Sequence, residues 1–325
     1  MNLITKVEVP ESPVKISYNS KCLFTGSCFA ENIGDKLLGL KFPVQINPLG
    51  INYNPFSLGI SMETIVMNKK INDIELFFSN GLWSSYDFHG KFSNNEKQKC
   101  VKSINDATEE AYEFLKNAEY LFISFGTAYV YQLKSNGNIV SNCHKQPDNI
   151  FSRRLVEVSE ITDYWVKIIN EISAFNDKLK IIFTISPIRH KRDGFIANQL
   201  SKSVLFVAVN KLIDMFENVL YFPSYEIIMD ELRDYRYYAD DMIHPSSLAV
   251  NYIMERFGEL FFSEDTKVLN RKISKIIVAA NHRPFNQQTT EYQIFCKKII
   301  SEIKQIQNLN LDIDFMEELR LLENL

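Results

Sequence analysis

Apolar residues gather in five short runs, at 21–25, 43–46, 120–125, 180–185 and 219–222. Such runs, with little alternation inside them, are the pattern of strands buried on both faces. Between most of them the period becomes that of amphipathic helices, over 29–38, 104–117, 160–175 and 198–216, and a further helix at 246–262 follows the last run. Strands alternating with helices pair in parallel through right-handed crossovers, which puts helices on both faces of the sheet. The pattern therefore predicts an α/β fold, a three-layer α/β/α sandwich around a five-stranded parallel sheet.

Two stretches read as hairpin insertions above the sheet. One spans 76–89 and turns at Asn80-Gly81; the other runs from Tyr129 through Ser135 and Asn138 to Asn142. After Asp265 the character changes, with helical patterns at 267–280 and 291–307 and with Phe295, Ile299, Ile303 and Ile306 on one stripe. The expected organisation is a main domain over 1–264 and a helical extension over 265–325 packed on it, the alternative use of the tail being an oligomer interface. There is no internal repeat and no low-complexity segment.

With 325 residues, 46% hydrophobic and 23% charged, the chain can build a sizeable core, and composition argues against disorder. A net charge of −4 gives no general attraction to nucleic acid or to an anionic membrane, so neither is expected as a partner. No apolar run approaches the ~20 residues that span a bilayer, and the N-terminus carries no secretory pattern. A cytoplasmic location is the expectation. The cysteines, Cys22, Cys28, Cys100, Cys143 and Cys296, are odd in number and lack a C-x-x-C pair, so neither disulfides nor zinc are expected. No cofactor or metal is implied, since none of the histidines sits in a ligand motif.

The chemistry concentrates at two places. Ser27 follows the first strand run and precedes a helix, which puts its hydroxyl at the carboxyl edge of the sheet, where ligands bind in such folds. There its backbone N–H can meet a developing oxyanion. Asp241 and His244 follow the fifth run, just ahead of the last helix of the main domain, and so share that edge. Their i,i+3 spacing is expected to set both side chains on one side of a helical turn, letting the carboxylate orient the imidazole. A serine activated by such a base is a nucleophile; without one, Ser27 would only cap the helix behind it.

The run Gly26-Ser27-Cys28-Phe29-Ala30 resembles the name-giving signature of the GSCFA proteins, a branch of the SGNH/GDSL hydrolase superfamily. The likeness continues through Asn47-Pro48-Leu49-Gly50 to Pro55, Phe125-Gly126-Thr127-Ala128, Asn142-Cys143-His144-Lys145, Ser186-Pro187-Ile188-Arg189-His190 and Asp241-Met242-Ile243-His244-Pro245. The resemblance implies a flavodoxin-like fold and a serine esterase of carboxylic esters, with a small O-acyl group such as acetyl on a carbohydrate as the expected substrate class. Acyl transfer by the same triad, and a catalytically weak binding protein with this fold, are the alternatives. It also implies Ser27 as nucleophile, Asp241 and His244 as the base pair, and Gly50 as an oxyanion donor beside Ser27. Two departures stand out: Gly26 replaces the usual aspartate, and Ala128 stands where an asparagine would complete the oxyanion hole. Asn142, Asn54 or a backbone N–H is then needed there.

Further residues are candidates from their position alone. His144 is expected to touch substrate, and Arg189, opening a basic run through Arg192, to hold a substrate carboxylate or phosphate, against the alternative of a solvated loop. His89 and His190 are expected to be structural. The run 235–238 offers aromatic rings for sugar stacking or for packing, and Cys28 is expected to be buried.

Overall fold

Uncharged residues fill the segment Cys22–Gly26, and every one of them is buried, which requires cover on both sides. This is β1 of a computed structural model that describes residues 5–9, 12–286, 288–309 and 313–323. The strands that follow are β2 (Val44–Ile46), β3 (Phe77–Ser79), β4 (Leu82–Ser84), β5 (Tyr120–Phe125), β6 (Tyr129–Leu133), β7 (Ile139–Val140), β8 (Phe151–Leu155), β9 (Lys180–Ile185) and β10 (Val219–Tyr221). The main sheet is parallel throughout, in the order β10-β9-β5-β1-β2.

The helices are α1 (Cys28–Gly39), α2 (Pro55–Val66), α3 (Lys97–Lys116), α4 (Val158–Phe175), α5 (Phe195–Met215), the short α6 (Ser224–Glu226), α7 (Ser247–Phe261), α8 (Glu264–Ala280), α9 (Thr290–Gln307) and α10 (Met316–Glu323). Alternation along the strands divides them into two layers. Leu23, Leu121, Ile123, Ile181 and Phe183 face an apolar cluster built with α2 to α5. Phe24, Phe122 and Ile182 face the other, built with α1, α7 and the tail helices. The result is the three-layer sandwich that the alternating pattern predicts. Among the described residues no helix is long and apolar enough to cross a membrane.

The hairpin at Asn80-Gly81 forms between β3 and β4. The second hairpin, β6 and β7, is joined on the other side of β6 by β8, giving a three-stranded antiparallel sheet. β8 escapes the sequence reading because its Phe-Ser-Arg-Arg-Leu segment shows no clean alternation and leaves Ser152 and Arg153 exposed. Helix α2 escapes it too, since its buried side interleaves Ser57, Ser61 and Thr64 with Leu58, Met62 and Ile65 and so blurs the apolar stripe. In the tail, Ile273, Ile276, Ile299, Ile303 and Ile306 are buried in the same cluster as Phe42 and Phe257, while Phe295 lies partly buried at its margin.

Three features set the carboxyl edge of the sheet. Phe257 of α7 meets Phe122 at 5.4 Å and Phe24 at 6.5 Å between ring centroids, and Phe24 and Phe122 stack on each other at 4.5 Å. At the end of β1, Gly26 has φ +132°, and a Cβ on it would lie 2.3 Å from the Ser124 carbonyl oxygen. Backbone against backbone leaves room for glycine only, which explains why no aspartate precedes Ser27. Finally, Lys202 of α5 is fully buried and donates from Nζ to the carbonyls of Gly126 at 2.7 Å and Ser186 at 2.5 Å, tying together the chain ends just past β5 and β9.

These contacts have measurable consequences. Replacing Phe257 with alanine empties the centre of the aromatic stack and is expected to cost about 3–5 kcal/mol, read from the urea midpoint. Gly26→Ala should cost at least about 3 kcal/mol, combining overlap with a disfavoured φ. Lys202 gives a pH signature: burial first, then the positive charge of Arg189, pushes its ammonium down to about 7. The unfolded chain keeps that proton up to the ordinary lysine value of 10.5, so between the two the unfolded state binds more protons and stability rises with pH. In Lys202→Met that rise should be missing when urea unfolding is compared across the interval.

Candidate functional site

Ser27 is the N-cap of α1, in extended backbone geometry. Its Oγ accepts from the Phe29 N–H at 3.2 Å and shares a hydrogen bond with the Ser124 hydroxyl at 2.8 Å. Its own N–H donates to the Ser124 carbonyl at 3.2 Å. The side chain therefore does serve as a cap, and its hydroxyl rests on a neighbouring strand end.

Asp241 and His244 lie in a tight loop ahead of α7, not on a helical turn as their spacing suggested. Met242 takes φ +58°, which reverses the chain between them. One carboxylate oxygen of Asp241 accepts the N–H groups of Ile243 and His244, both at 2.9 Å, and the other lies 2.6 Å from His244 Nδ1. Those N–H bonds, His244 first, with the imidazole bond adding to them, hold the Asp241 carboxyl down at about 2. It stays a carboxylate at neutral and mildly acidic pH. The loop is fastened to the preceding turn by the Ala239 N–H on the His244 carbonyl at 2.8 Å and by Ser246, which donates to the Arg236 carbonyl at 3.0 Å and caps α7.

Ser27 and His244 line one cleft of about 610 Å³ at the carboxyl edge of the sheet, together with Cys28, Asn142, Arg189 and His190. They are not bonded to each other. Ser27 Oγ is engaged as described above, and His244 Nε2 has no protein hydrogen-bond partner among the described residues. A hydrogen bond from Nδ1 to a carboxylate requires the proton on Nδ1, and in the neutral ring Nε2 then carries the lone pair.

Several expected residues sit elsewhere. Gly50 does not line the cleft, and its N–H is spent on the Asn47 carbonyl at 2.8 Å. Packing accounts for that glycine: at φ +92° a Cβ would lie 2.1 Å from the Cβ of His89. His144 is also absent from the lining. Its Nε2 is 2.7 Å from the Ser85 carbonyl and its ring is edge-on to Phe77 at 5.6 Å, so it braces the insertion hairpin instead of meeting a ligand. Asn54 does line the cleft, but its side chain is used at both ends by Ser57 as the cap of α2. Asn142 does line the cleft; its Oδ1 accepts the His144 N–H at 2.8 Å, while its amide nitrogen has no protein partner among the described residues. Ala128 is fully buried, and it is Thr127 that reaches the cleft at that point.

Other residues enter against expectation. Cys28 is only half-buried, on the cleft wall, with Sγ 3.3 Å from the Tyr53 hydroxyl. As the first residue of α1 its N–H has no protein acceptor among the described residues, so it is a backbone donor open beside Ser27. His89 and His190, expected to be structural, both line the cleft. Burial, with Lys202 adding, pushes His190 down to about 4, so this ring is neutral. Ser124 and Arg153 have no signature in the sequence; only the pairing of β5 beside β1, and of β8 beside β6, brings them here. Among the described residues no cluster of His, Cys, Asp and Glu is arranged to hold a metal ion.

No curated protein matches the chain. The profile of the GSCFA family matches residues 21–257, and that of the GSCFA domain protein, C-terminal domain, matches residues 273–325. The first match takes in Ser27 and the Asp241–His244 loop alike, and the second falls on the tail helices. By these matches the chain belongs to the GSCFA family.

Proposed function

We propose that this protein is a serine-dependent hydrolase of carboxylic esters, of the SGNH type, acting on an O-acyl group of a carbohydrate or another small ester. One observation carries the reading: the hydroxyl at the end of β1 and an imidazole oriented by a carboxylate line the same cleft, although 216 positions lie between residues 27 and 244. In the reaction, Ser27 turns from Ser124 toward His244. Nε2 takes the hydroxyl proton as Oγ attacks the ester carbonyl, and Asp241 stabilises the imidazolium. The Cys28 N–H and the Asn142 amide are the donors available to the oxyanion. As the intermediate collapses, the imidazolium proton goes to the departing alcohol. Water then enters, loses a proton to His244 and releases the acid from the acyl-serine. An acceptor hydroxyl in place of water would make the same centre an acyltransferase.

The engagement of Ser27 with Ser124 favours a second reading, a binding protein in which Ser27 only caps α1. Labelling by a fluorophosphonate separates the two. The hydrolase predicts labelling of the wild type that is abolished in Ser27→Ala. It further predicts p-nitrophenyl acetate turnover reduced at least about 1000-fold in Ser27→Ala and His244→Ala, and about 100- to 10,000-fold in Asp241→Asn. Turnover undiminished in a folded Ser27→Ala protein would sink the mechanism.

A further inference from the structure

The chain carries a net charge of −4, yet the charged lining of the cleft is of the opposite sign. Four cations, Arg153, Arg189, Lys191 and Arg192, stand there against one carboxylate, Asp193. Arg153 grips both oxygens of Asp193 and so consumes that charge. Among the described residues the carboxylate that Arg192 reaches is Asp148, at 3.5 Å across exposed surface, and its guanidinium lies 5.4 Å from the centre of the Tyr131 ring. Arg189 and Lys191 have no carboxylate partner among the described residues.

Arg189 is the informative one. It is half-buried, not solvated as an exposed basic loop would be; its guanidinium lies 5.5 Å from the centre of the Phe195 ring, and its Nε is buried without an acceptor. Lys202, buried nearby, adds a repelling positive charge when it is protonated. A guanidinium held beside a second cation, with donors unmet, is costly unless an anion arrives. Its planar fork matches carboxylate and phosphate oxygens in pairs.

We propose that the ligand of this cleft carries an anionic group, a carboxylate or a phosphate, received by Arg189 with Lys191 in support. That the anion belongs to an ester substrate rests on the hydrolase reading; the anion site itself does not. Three aryl acetates test it: 4-acetoxybenzoate, 4-acetoxyphenyl phosphate and the neutral methyl 4-acetoxybenzoate. In the wild type, kcat/KM for at least one anionic ester should exceed that of the neutral one roughly 10-fold or more, and the excess should shrink with added salt. Arg189→Gln should lower the anionic-to-neutral ratio roughly 10- to 100-fold, Arg189→Lys should restore part of it, and Arg233→Gln, outside the cleft, should leave it alone. Which anion gains more identifies carboxylate or phosphate. If the wild type turns over all three alike through Ser27, the anion site is overturned and the hydrolase stands. If no ester is turned over, the hydrolase fails, and calorimetric titration with phenyl phosphate and 4-hydroxybenzoate decides the site alone. Binding lost in Arg189→Gln upholds it; no binding by the wild type overturns it.

Discussion

The stacking of Phe24, Phe122 and Phe257 is the contact on which the rest of the edge depends. Phe24 precedes Ser27 by three residues on β1, Phe122 precedes Ser124 by two on β5, and Phe257 belongs to the helix that the His244 loop enters. Aromatic rings at 4.5–6.5 Å spacing in a closely packed interior leave little freedom for one element to slide on another. The distance between hydroxyl and imidazole is thus set by apolar packing one layer below them. The hydrogen bonds of Ser27 with Ser124 and of His244 with Asp241 then set the orientation of each group.

The loops above that layer are held in a different way, by polar groups used one for one. Asn47 accepts the Gly26 N–H at 2.8 Å, and Tyr53 accepts those of both Gly126 and Thr127. Lys202 bridges the ends of β5 and β9 from beneath. The first joins the end of β1 to the residue after β2, the second joins the loop before α2 to the residues after β5, and the third reaches from α5. Buried hydrogen bonds of this kind are stiff; losing one partner leaves the other stranded. The cleft floor is accordingly rigid, and the exposed His244 ring above it is held by Asp241.

What could be read from the sequence follows from what each feature needs. β5 and β9 needed only an uninterrupted apolar run, and their bounds agree with it residue for residue. Ser27 and the Asp241–His244 pair were legible because their chemistry is local in sequence. Features set by another segment were not. Why position 50 must be glycine depends on His89, and whether His144 faces a ligand depends on Ser85. The same holds for Cys28, whose half-exposed position follows from Tyr53 standing opposite, and for α2, whose polar buried face makes sense only against α4, where Gly59 leaves just enough room for Tyr164.

The resting position of the Ser27 hydroxyl then has a definite energetic meaning. Leaving Ser124 and the α1 cap costs one neutral hydrogen bond and one capping bond, together about 2 kcal/mol, or roughly a 30-fold reduction in the fraction poised to react. That is small against the barrier a triad removes, so the resting contact is compatible with catalysis. Part of it is also returned. When Oγ leaves the cap, the Phe29 N–H loses its acceptor, and it lies in the same first turn of α1 as the open Cys28 N–H. On the proposed mechanism, a negative charge forming on a substrate oxygen at that helix terminus would meet two free donors where the resting state offers one. The rotation that frees the Ser27 hydroxyl would then also open a second donor for the oxyanion, a role for which Ala128 offers no side chain.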